Sequence, residues 1–475
     1  MTRLRKNVLD LPAGDQTLEW YGRAIAAMKN GPITDPTSWR FQAAIHEYIS
    51  GQDPLAVAGE QLPSSNIQTT YWNQCQHGSW FFLPWHRMYL YRFEQIVLTE
   101  IVKLGGPSDW ALPYWNYSAS TDARLLPDAF RSARQADSSV NSLYVGERDP
   151  RSNDGQQFAS ERDTALRTAL IQAQFSNRVH GNFGGLQTPF SHNGSDPGHL
   201  EDVPHGTMHV AVGGQTGWMS AFNTAALDPI FWLHHCNLDR LWEVWLKRDP
   251  KHIDPTSPSW LTTVSFPFYV DSLQTITMHC ADVVDLGALG YAYDDVSDPL
   301  AATPAPRATP EVATMSETSQ PELVGATGTS FNIQNDPVHF NVATPAHAEA
   351  RQRLAKAAGT ATVKPHVFLQ LENLTSTGRA NSYDVYVYLP EGGDPNQHPE
   401  LYAGRLSMFG VAEASRATAQ HAGSGLTVTL DITDIYQKLS TAPGWDPNNV
   451  RVSLIPVRDW EGSVVNVGRV SVFFG

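Results

Sequence analysis

The sequence predicts two structural classes in one chain: a mainly α-helical domain over residues 1–296, with a four-helix bundle core and long loops, and an all-β sandwich over residues 336–475. Apolar residues recur at helical spacing in the first part, whereas short runs of alternating apolar and polar residues fill the last part. Between them, residues 297–335 are rich in Pro, Ala, Thr and Ser, which is typical of a linker. At 475 residues, the chain is long enough for both parts to bury a core.

Composition excludes several classes of function. The 33 basic and 48 acidic residues give a net charge of −15, which argues against nucleic-acid binding. No run approaches the ~20 apolar residues of a membrane span, and Asp10 interrupts the basic N-terminus before a signal region could form. The three cysteines cannot form a disulfide framework, which fits a reducing compartment. We expect a cytoplasmic protein without a membrane or nucleic-acid partner, unless a partner exports it, and the sequence carries no signal of its oligomeric state.

Two helices are predicted near the N-terminus. Residues 18–28 and 38–49 have helical apolar spacing, and Asp35-Pro36-Thr37 would cap the second helix. His46 lies on that helix among apolar residues, where a lone histidine is usually part of the core. Only metal-binding partners elsewhere in the chain would give His46 another role.

Two further histidines follow within a short stretch. His77 falls in a predicted loop, as part of Cys75-Gln76-His77. His86 begins a predicted helix, and the apolar side chains spaced along its face point inward. The apolar face is ordinary core packing, and it would also wall off a metal site from water.

The stretch between residues 205 and 245 contains the clearest pattern of potential metal ligands. His205 and His209 are four apart, which places both imidazoles on one face of a helix and within reach of one metal ion. Asp228-Pro229 opens a second helix that carries His234 and His235. Neighbouring helical residues point ~100° apart, so only one of this pair faces the metal, and His235 shares its face with apolar residues. Three imidazoles suit copper, zinc, iron or nickel.

Other histidines have no such arrangement. Residues 122–196 are predicted to be long loops with one helical piece at 160–172. His180, His192 and His199 have no partner at metal spacing, so we do not assign them as ligands.

The histidines stand within two longer motifs. Phe82-Leu83-Pro84-Trp85-His86-Arg87 is followed by Glu94, and a second motif runs Asp-Pro-x-Phe-Trp-x-x-His-x-x-x-Asp from Asp228 to Asp239. These motifs resemble the two copper signatures of the tyrosinase, catechol oxidase (polyphenol oxidase) and molluscan haemocyanin family of type 3 dicopper proteins, here in a long bacterial-like form with a C-terminal domain. The resemblance implies two copper ions, with dioxygen as co-substrate. Its implied ligand sets are His46, His77 and His86 for the first copper, and His205, His209 and His235 for the second.

The resemblance also assigns two residues beside the histidines. In fungal and molluscan members, a Cys-x-His at this position carries a thioether, which predicts a bond from Cys75 to His77. From the residues alone, Cys75 could equally be a small buried side chain. Glu201 lies four residues before His205, where plant members place a glutamate that orients a water and would accept the phenolic proton. Its alternative is a solvated loop carboxylate.

Four more site residues are predicted around the second motif. Phe222 falls where plant catechol oxidases have a phenylalanine over the first copper, although plain core packing explains it equally well. Gly206, after His205, stands where several efficient monophenol hydroxylases carry Asn, which weakens the case for that activity. Val210, after His209, is included with the site. Asp239 lies one helical turn after His235 and is expected to pair with an arginine.

The remaining predictions concern the end of the helical domain and the C-terminal sandwich. Tyr291-Ala292-Tyr293 resembles the element that closes the family's catalytic domain, and a helix is predicted at 346–358. In latent family members, a C-terminal sandwich inserts a residue into the copper cavity until it is removed or loosened. Residues 401–410 resemble that region and Phe409 is the candidate, although an ordinary strand is an equally simple alternative.

The resemblance therefore implies a latent enzyme acting on small phenolic or catecholic substrates. It would oxidise o-diphenols to o-quinones, with monophenol hydroxylation as a further activity. Three alternatives stay open from sequence: a haemocyanin-like oxygen carrier, a zinc hydrolase with one three-histidine site, and an o-aminophenol oxidase.

Overall fold

The computed structural model describes residues 2–177, 182–188, 196–301, 321–346, 348–350, 366–417, 422–441, 445–446 and 448–474. His180, His192 and most of the helix predicted at 346–358 lie outside these residues.

The chain before residue 300 is predominantly helical. Its helices are α1 Thr17–Lys29, α2 Trp39–His46, α3 Ser65–Tyr71, α4 Phe82–Lys103, α5 Pro150–Asn153, α6 Arg167–Leu170, α7 Thr207–Gly213, α8 Phe222–Ala225, α9 Pro229–Arg248, α10 Pro258–Leu261 and α11 Leu286–Leu289. The long helices α4 and α9 pack together, α1 packs on α4, and α2 contacts α1 and α8. Their buried apolar faces form one core that contains most of the tryptophans. None of the helices in the described part of the chain is long and apolar enough to cross a membrane.

Side-chain caps begin α2 and α9, whereas α4 begins earlier than predicted without such a cap. Asp228 accepts a hydrogen bond from the Ile230 amide at 3.1 Å, so α9 begins at the predicted Asp-Pro pair. Helix α2 is capped by Ser38, and the predicted cap at residues 35–37 is wrong; the helix also ends at 46, before the predicted 49. Helix α4 begins at Phe82, four residues before the predicted start at His86, because Pro84 is tolerated in a first turn that needs no amide donor there.

The helical piece predicted at 160–172 is wrong in detail. It consists of a 3₁₀ turn, Glu161–Thr164, and the separate short helix α6. The Asp163 carboxylate turns back to accept a hydrogen bond from the Ser160 amide at 2.7 Å, which closes the first turn on itself.

Two small sheets complete the helical part. Strand β1 (Arg3–Arg5) pairs in parallel with β4 (Tyr291–Tyr293), which ties the N-terminus to the end of the domain. Strands β2 (Phe266–Tyr269) and β3 (Thr275–Met278) form an antiparallel pair.

The C-terminal part is rich in β-strands, as predicted. Its described strands are β5 Glu322–Ala326, β6 Phe331–Ile333, β7 Val338–Ala343, β8 Val367–Ser376, β9 Tyr383–Val387, β10 Tyr402–Leu406, β11 Leu426–Asp431, β12 Asn449–Pro456 and β13 Val465–Phe474. One sheet has the order β10-β9-β12-β7, and the other has the order β11-β8-β13-β5 with β6 also on β13. Both sheets contribute to one buried core, separate from that of the helices. Two short helices, α12 (Val411–Ala414) and α13 (Thr433–Leu439), lie between strands.

Part of the predicted linker is folded. Residues 322–326 and 331–333, assigned to the linker from composition, are strands β5 and β6. Val324 of β5 and Ile333 of β6 are buried in the C-terminal core. Hydrogen-bonded pairing with β13 stabilises both strands, although polar residues flank them. Composition over a 39-residue window concealed these two short alternating segments.

Candidate metal centre

Seven buried histidines form two groups. In the first group, the possible ligand atoms of His46, His77 and His86 all lie within 4.8 Å of one another. The second group meets the same limit and contains His205, His209, His234 and His235. All seven side chains are at most 5% exposed, so water does not compete for the ring nitrogens.

Each predicted ligand comes from a different position in the helical part. His46 ends α2, His77 lies in the loop before α4, and His86 lies in the early turns of α4. His205 and His209 were predicted on one regular helix, but an irregular π-type turn over Glu201–Gly206 carries the first and α7 carries the second.

Backbone carbonyls orient four of these rings. The Nδ1 atoms of His46 and His86 lie 2.9 and 2.8 Å from the carbonyls of Phe222 and Phe82. Those of His205 and His209 lie 3.0 and 2.8 Å from the carbonyls of Glu201 and Met219. A proton on Nδ1 satisfies each carbonyl and leaves the Nε2 lone pair available for a metal ion, which is how metal-binding histidines are usually held.

The two groups adjoin each other. The rings of His86 and His235 stack with centroids 4.4 Å apart at 8°, and those of His77 and His205 are 5.6 Å apart at 30°. The arrangement therefore places two sets of imidazoles side by side, as two neighbouring metal ions would require.

The electrostatics of both groups favour a cation. Burial lowers the pKa of His86 and of His209 to about 3, and lowers that of His205 and His235 well below the ordinary value. The imidazoles are therefore neutral bases. The Nε2 atoms of His209 and His235 lie only 3.4 Å apart, and the buried Nε2 of His205 has no hydrogen-bond partner among the described residues. A metal ion would satisfy these lone pairs, so the donor set fits copper.

His234 is closer to the second group than the sequence indicated. Its ring stacks on His205 at 5.6 Å and 18°, and it also packs against Tyr117 at 5.6 Å. His235 instead faces the first group through His86 and faces His209 through its Nε2 atom. The preference for His235 as the ligand stays a prediction.

Cys75 and Glu201 are both buried beside elements that carry the histidines. Cys75 is fully buried, forms no disulfide and lies on the loop that carries His77. The Oε1 atom of Glu201 accepts a hydrogen bond from the Gly78 amide at 2.7 Å, while its buried Oε2 has no partner among the described residues. Burial raises the pKa of Glu201 well above the ordinary value. This carboxyl group can therefore hold a proton beside the histidines, whereas the thioether stays a prediction.

Phe222 and Gly206 line one cavity with two of the histidines, whereas Val210 lines another. The Phe222 ring stacks on His77 with centroids 4.1 Å apart at 27°. Gly206 faces the C-terminal part so closely that a Cβ atom would lie 2.3 Å from the Ser407 hydroxyl. Val210 is buried on α7, where it lines a smaller pocket with Met408 and Gly410.

The Asp239 side chain forms ion pairs and hydrogen bonds with residues outside the two histidine groups. Its carboxylate bonds to Arg5 at 3.1 Å and to Arg87, and it also accepts hydrogen bonds from Tyr291 and Tyr293. The expected arginine pairing is present, and it anchors α9 to the N-terminus and to β4.

The C-terminal part inserts Phe409 among the histidines. Its ring lies parallel to His209, with centroids 4.0 Å apart and an interplanar angle of 10°. It also contacts His205 at 5.4 Å and Phe222 at 4.7 Å, and its side chain is 8% exposed. Strand β10 ends three residues before it, so the strand interpretation holds for Tyr402–Leu406, and the role of Phe409 as a plug stays a prediction.

Sequence reasoning missed two groups at this interface. The Asp202 carboxylate accepts a hydrogen bond from the Ser407 amide at 3.0 Å. Ser407 begins the inserted segment, residues 407–409, which ends at Phe409. Arg405 donates to Asp163 at 2.6 Å, across 242 residues of sequence. The adjacency of Asp202 to Glu201 was a signal for the first, whereas no local pattern indicates the second.

Comparison with known proteins places the chain among copper enzymes. Residues 36–248 match the common central domain of tyrosinase, residues 254–305 match the polyphenol oxidase middle domain, and residues 320–474 match a domain of unknown function. The tyrosinase HcTyr1 of Hahella sp. (strain CCB-MM4) is 34% identical over 99% of both chains. The chloroplastic polyphenol oxidase of Malus domestica is 28% identical over 96% of this chain and 74% of its own.

Solved structures share the fold along the whole chain. Latent apple tyrosinase aligns with a TM-score of 0.66 and 22% identity, covering 99% of this chain and 97% of its own. Latent aurone synthase aligns with a TM-score of 0.66 and 23% identity, covering 100% and 89%. Both include a helical domain and a β-rich C-terminal region. The similar proteins named here are enzymes, which disfavours an oxygen carrier.

Proposed function

Because the chain belongs to the tyrosinase and polyphenol oxidase family of copper oxidoreductases, we propose that it oxidises o-diphenols to o-quinones with dioxygen and is latent while its C-terminal part is docked. The observation that carries this proposal is the pair of adjoining imidazole groups with the Phe409 ring parallel to His209. Two copper ions, when bound, supply the redox chemistry between the phenol and dioxygen.

The protein's own residues would hold and orient the reactants. His46, His77 and His86 would bind one ion, and the second would be bound by His205, His209 and His235. Their neutral state, enforced by burial, suits both oxidation states of copper. We infer that the substrate ring occupies the position over His209 where Phe409 now lies, under the edge of Phe222.

Glu201 would handle the phenolic proton. Gly78 fixes one carboxyl oxygen, and the other is buried without a partner among the described residues, while Glu201 lines a cavity together with His205 and Phe222. A water held by that second oxygen would relay the phenolic proton to the Glu201 carboxylate, whose raised pKa suits it to keep the proton. With Gly206 in place of an amide side chain, we infer that oxidation of diphenols predominates over hydroxylation of monophenols.

The architecture proposed for this activity has three parts. A catalytic domain built on a four-helix core extends to about residue 296, a linker follows, and a two-sheet sandwich begins at β5, earlier than composition suggested. We also propose a cytoplasmic location, with which the absence of a disulfide between the three cysteines agrees.

The test measures metal and turnover together. The copper-loaded chain is given catechol and 4-methylcatechol before and after limited proteolysis between residues 297 and 321, with quinone formation and oxygen uptake recorded. We expect quinone from the cleaved protein, and one oxygen consumed for two catechols. Reversible oxygen binding without quinone in both samples would instead establish a carrier.

A further inference from the structure

The inserted segment contacts the site like a bound ligand with two recognition features. One is the Phe409 ring stacked on His209. The other is the Ser407 amide, an N–H donor bound to the Asp202 carboxylate at 3.0 Å. The closed cavity therefore holds an aromatic ring and, two residues before it in the chain, an N–H donor.

Asp202 is a carboxylate without a resident cation. Its side chain is 8% exposed and lines the cavity together with Glu201 and His205. It takes part in no ion pair within the described part of the chain, whereas Arg405 of the docked segment is committed to Asp163 and Asp384. Removal of the C-terminal part takes the Ser407 donor away and leaves the carboxylate at the mouth of the cavity.

The two adjacent acids face different partners. Glu201 is fixed by Gly78, on the side of His77, whereas Asp202 is fixed by the C-terminal segment. Burial raises the pKa of Asp202 to about 7, against the lowering effect of the Ser407 amide, so contact with water would restore its negative charge. The chain's net charge of −15 adds a long-range attraction for cations.

We propose that Asp202 is a substrate-binding residue that selects phenols and catechols carrying a protonated amine on a short aliphatic chain. The ring takes the place of Phe409, and the ammonium group takes the place of the Ser407 amide. This inference rests on the proposed function, since it concerns the same cavity after the C-terminal part is displaced.

The experiment compares three catechols that differ in charge. Copper-loaded protein, cleaved in the linker, is assayed with dopamine, 4-methylcatechol and 3-(3,4-dihydroxyphenyl)propionate. For the wild type, kcat/KM is highest for dopamine and lowest for the propionate. In Asp202→Asn, the ratio of dopamine to 4-methylcatechol falls roughly fivefold, through KM, as expected for the loss of one ion pair near water. An unchanged ratio overturns the proposal.

Two variants isolate the charge of Asp202 from general effects. Asp202→Glu keeps the carboxylate and therefore keeps the preference for dopamine. Asp122→Asn removes an exposed carboxylate that does not line the cavity, and its substrate ratio matches that of the wild type. Equal losses in Asp122→Asn and Asp202→Asn would mean that net charge, and not this residue, sets the preference.

A binding measurement separates this inference from the proposed function. Phenethylamine has no hydroxyl group to be oxidised, and calorimetry measures its binding to the cleaved protein against that of 3-phenylpropionate. If none of the catechols is oxidised, the proposed function fails, and tighter binding of the amine still supports the Asp202 site. Tighter binding of the acid, or equal binding, refutes it.

Discussion

At the scale of single residues, the site depends on neutral imidazoles whose Nε2 atoms converge. His86 and His205 belong to different groups, and each has its Nδ1 atom bonded to a backbone carbonyl. We predict that His86→Ala or His205→Ala loses the copper of its own group and all oxidase activity. Metal analysis of the purified variants measures this. His252, a buried histidine that stacks on Trp245 outside both groups, provides the matched control, and His252→Gln keeps its copper.

The role of Glu201 in proton transfer is tested by a substitution that removes its ionisable carboxyl group and keeps the size of the side chain. In Glu201→Gln, the amide oxygen can still accept the hydrogen bond of Gly78. We expect copper content to remain at the wild-type level and kcat for catechol in the cleaved protein to fall about 100-fold, the usual size of a general acid–base contribution. Wild-type kcat in this variant would assign proton transfer to another group.

At the scale of elements, strand β10 positions the inserted segment. Arg405 near its end donates to Asp384 at 2.7 Å within the C-terminal part, and to Asp163 at 2.6 Å in the helical part. Arg458 also reaches Asp163, at 3.0 Å. The Asp163 carbonyl in turn accepts a hydrogen bond from Thr207, at the start of α7. The ion-pair cluster thus joins the strand before Phe409 to the helix that carries His209.

Removing Arg405 should therefore loosen the docked segment. We predict that Arg405→Gln raises the catechol oxidase activity of the uncleaved chain several-fold, because it leaves Asp163 and Asp384 buried with one partner fewer. Arg23, which pairs with Glu19 on an exposed face of α1, is the control, and Arg23→Gln keeps the low activity of the intact chain. The cleaved forms should turn over catechol equally, and a difference there would indicate damage to the site itself.

The elements also show why some predictions succeeded. The Asp-Pro start of α9 is a local signal, because Asp228 caps the amide of a residue two positions later. The histidine groups were predictable from motif resemblance, since spacing alone linked only His205 and His209. The pairing of Arg405 with Asp163 could not be predicted, because it joins residues 242 positions apart and depends on how two domains dock. The strands β5 and β6 were missed because their stability comes from pairing with β13.

At the scale of the whole molecule, the two parts share one functional cavity. Phe409 of the C-terminal part covers His209 and His205 of the helical part. We predict that Phe409→Ala raises the activity of the intact chain less than cleavage of the linker does, since Ser407 still bonds to Asp202. Initial rates on 4-methylcatechol for the four combinations of variant and cleavage measure this. Equal rates for the intact and cleaved wild type would contradict the latency.

Docking of the C-terminal part should also depend on pH. Burial raises the pKa of Asp202 to about 7, and burial together with the nearby charge of Glu372 raises the pKa of Asp196 to about 7. In the undocked protein, the pKa of Asp202 approaches the ordinary carboxyl value of about 3.9, and the pKa of Asp196 falls because the charge of Glu372 moves away. The docked state therefore binds more protons between these values. Docking is strongest below about pH 4 and weakens as the pH rises through 7.

The opposite shift of Asp163 does not cancel this trend. Burial acts to raise its pKa, but Arg458 and Arg405 outweigh burial and lower it, so its contribution changes only at pH values below the ordinary carboxyl range. We predict that the activity of the intact chain, divided by that of the cleaved protein at the same pH, increases between pH 5 and pH 8. Asp196→Asn, which imitates the protonated group, reduces this increase. A ratio that stays constant with pH, or that rises on acidification, would show that these carboxyl groups do not control docking.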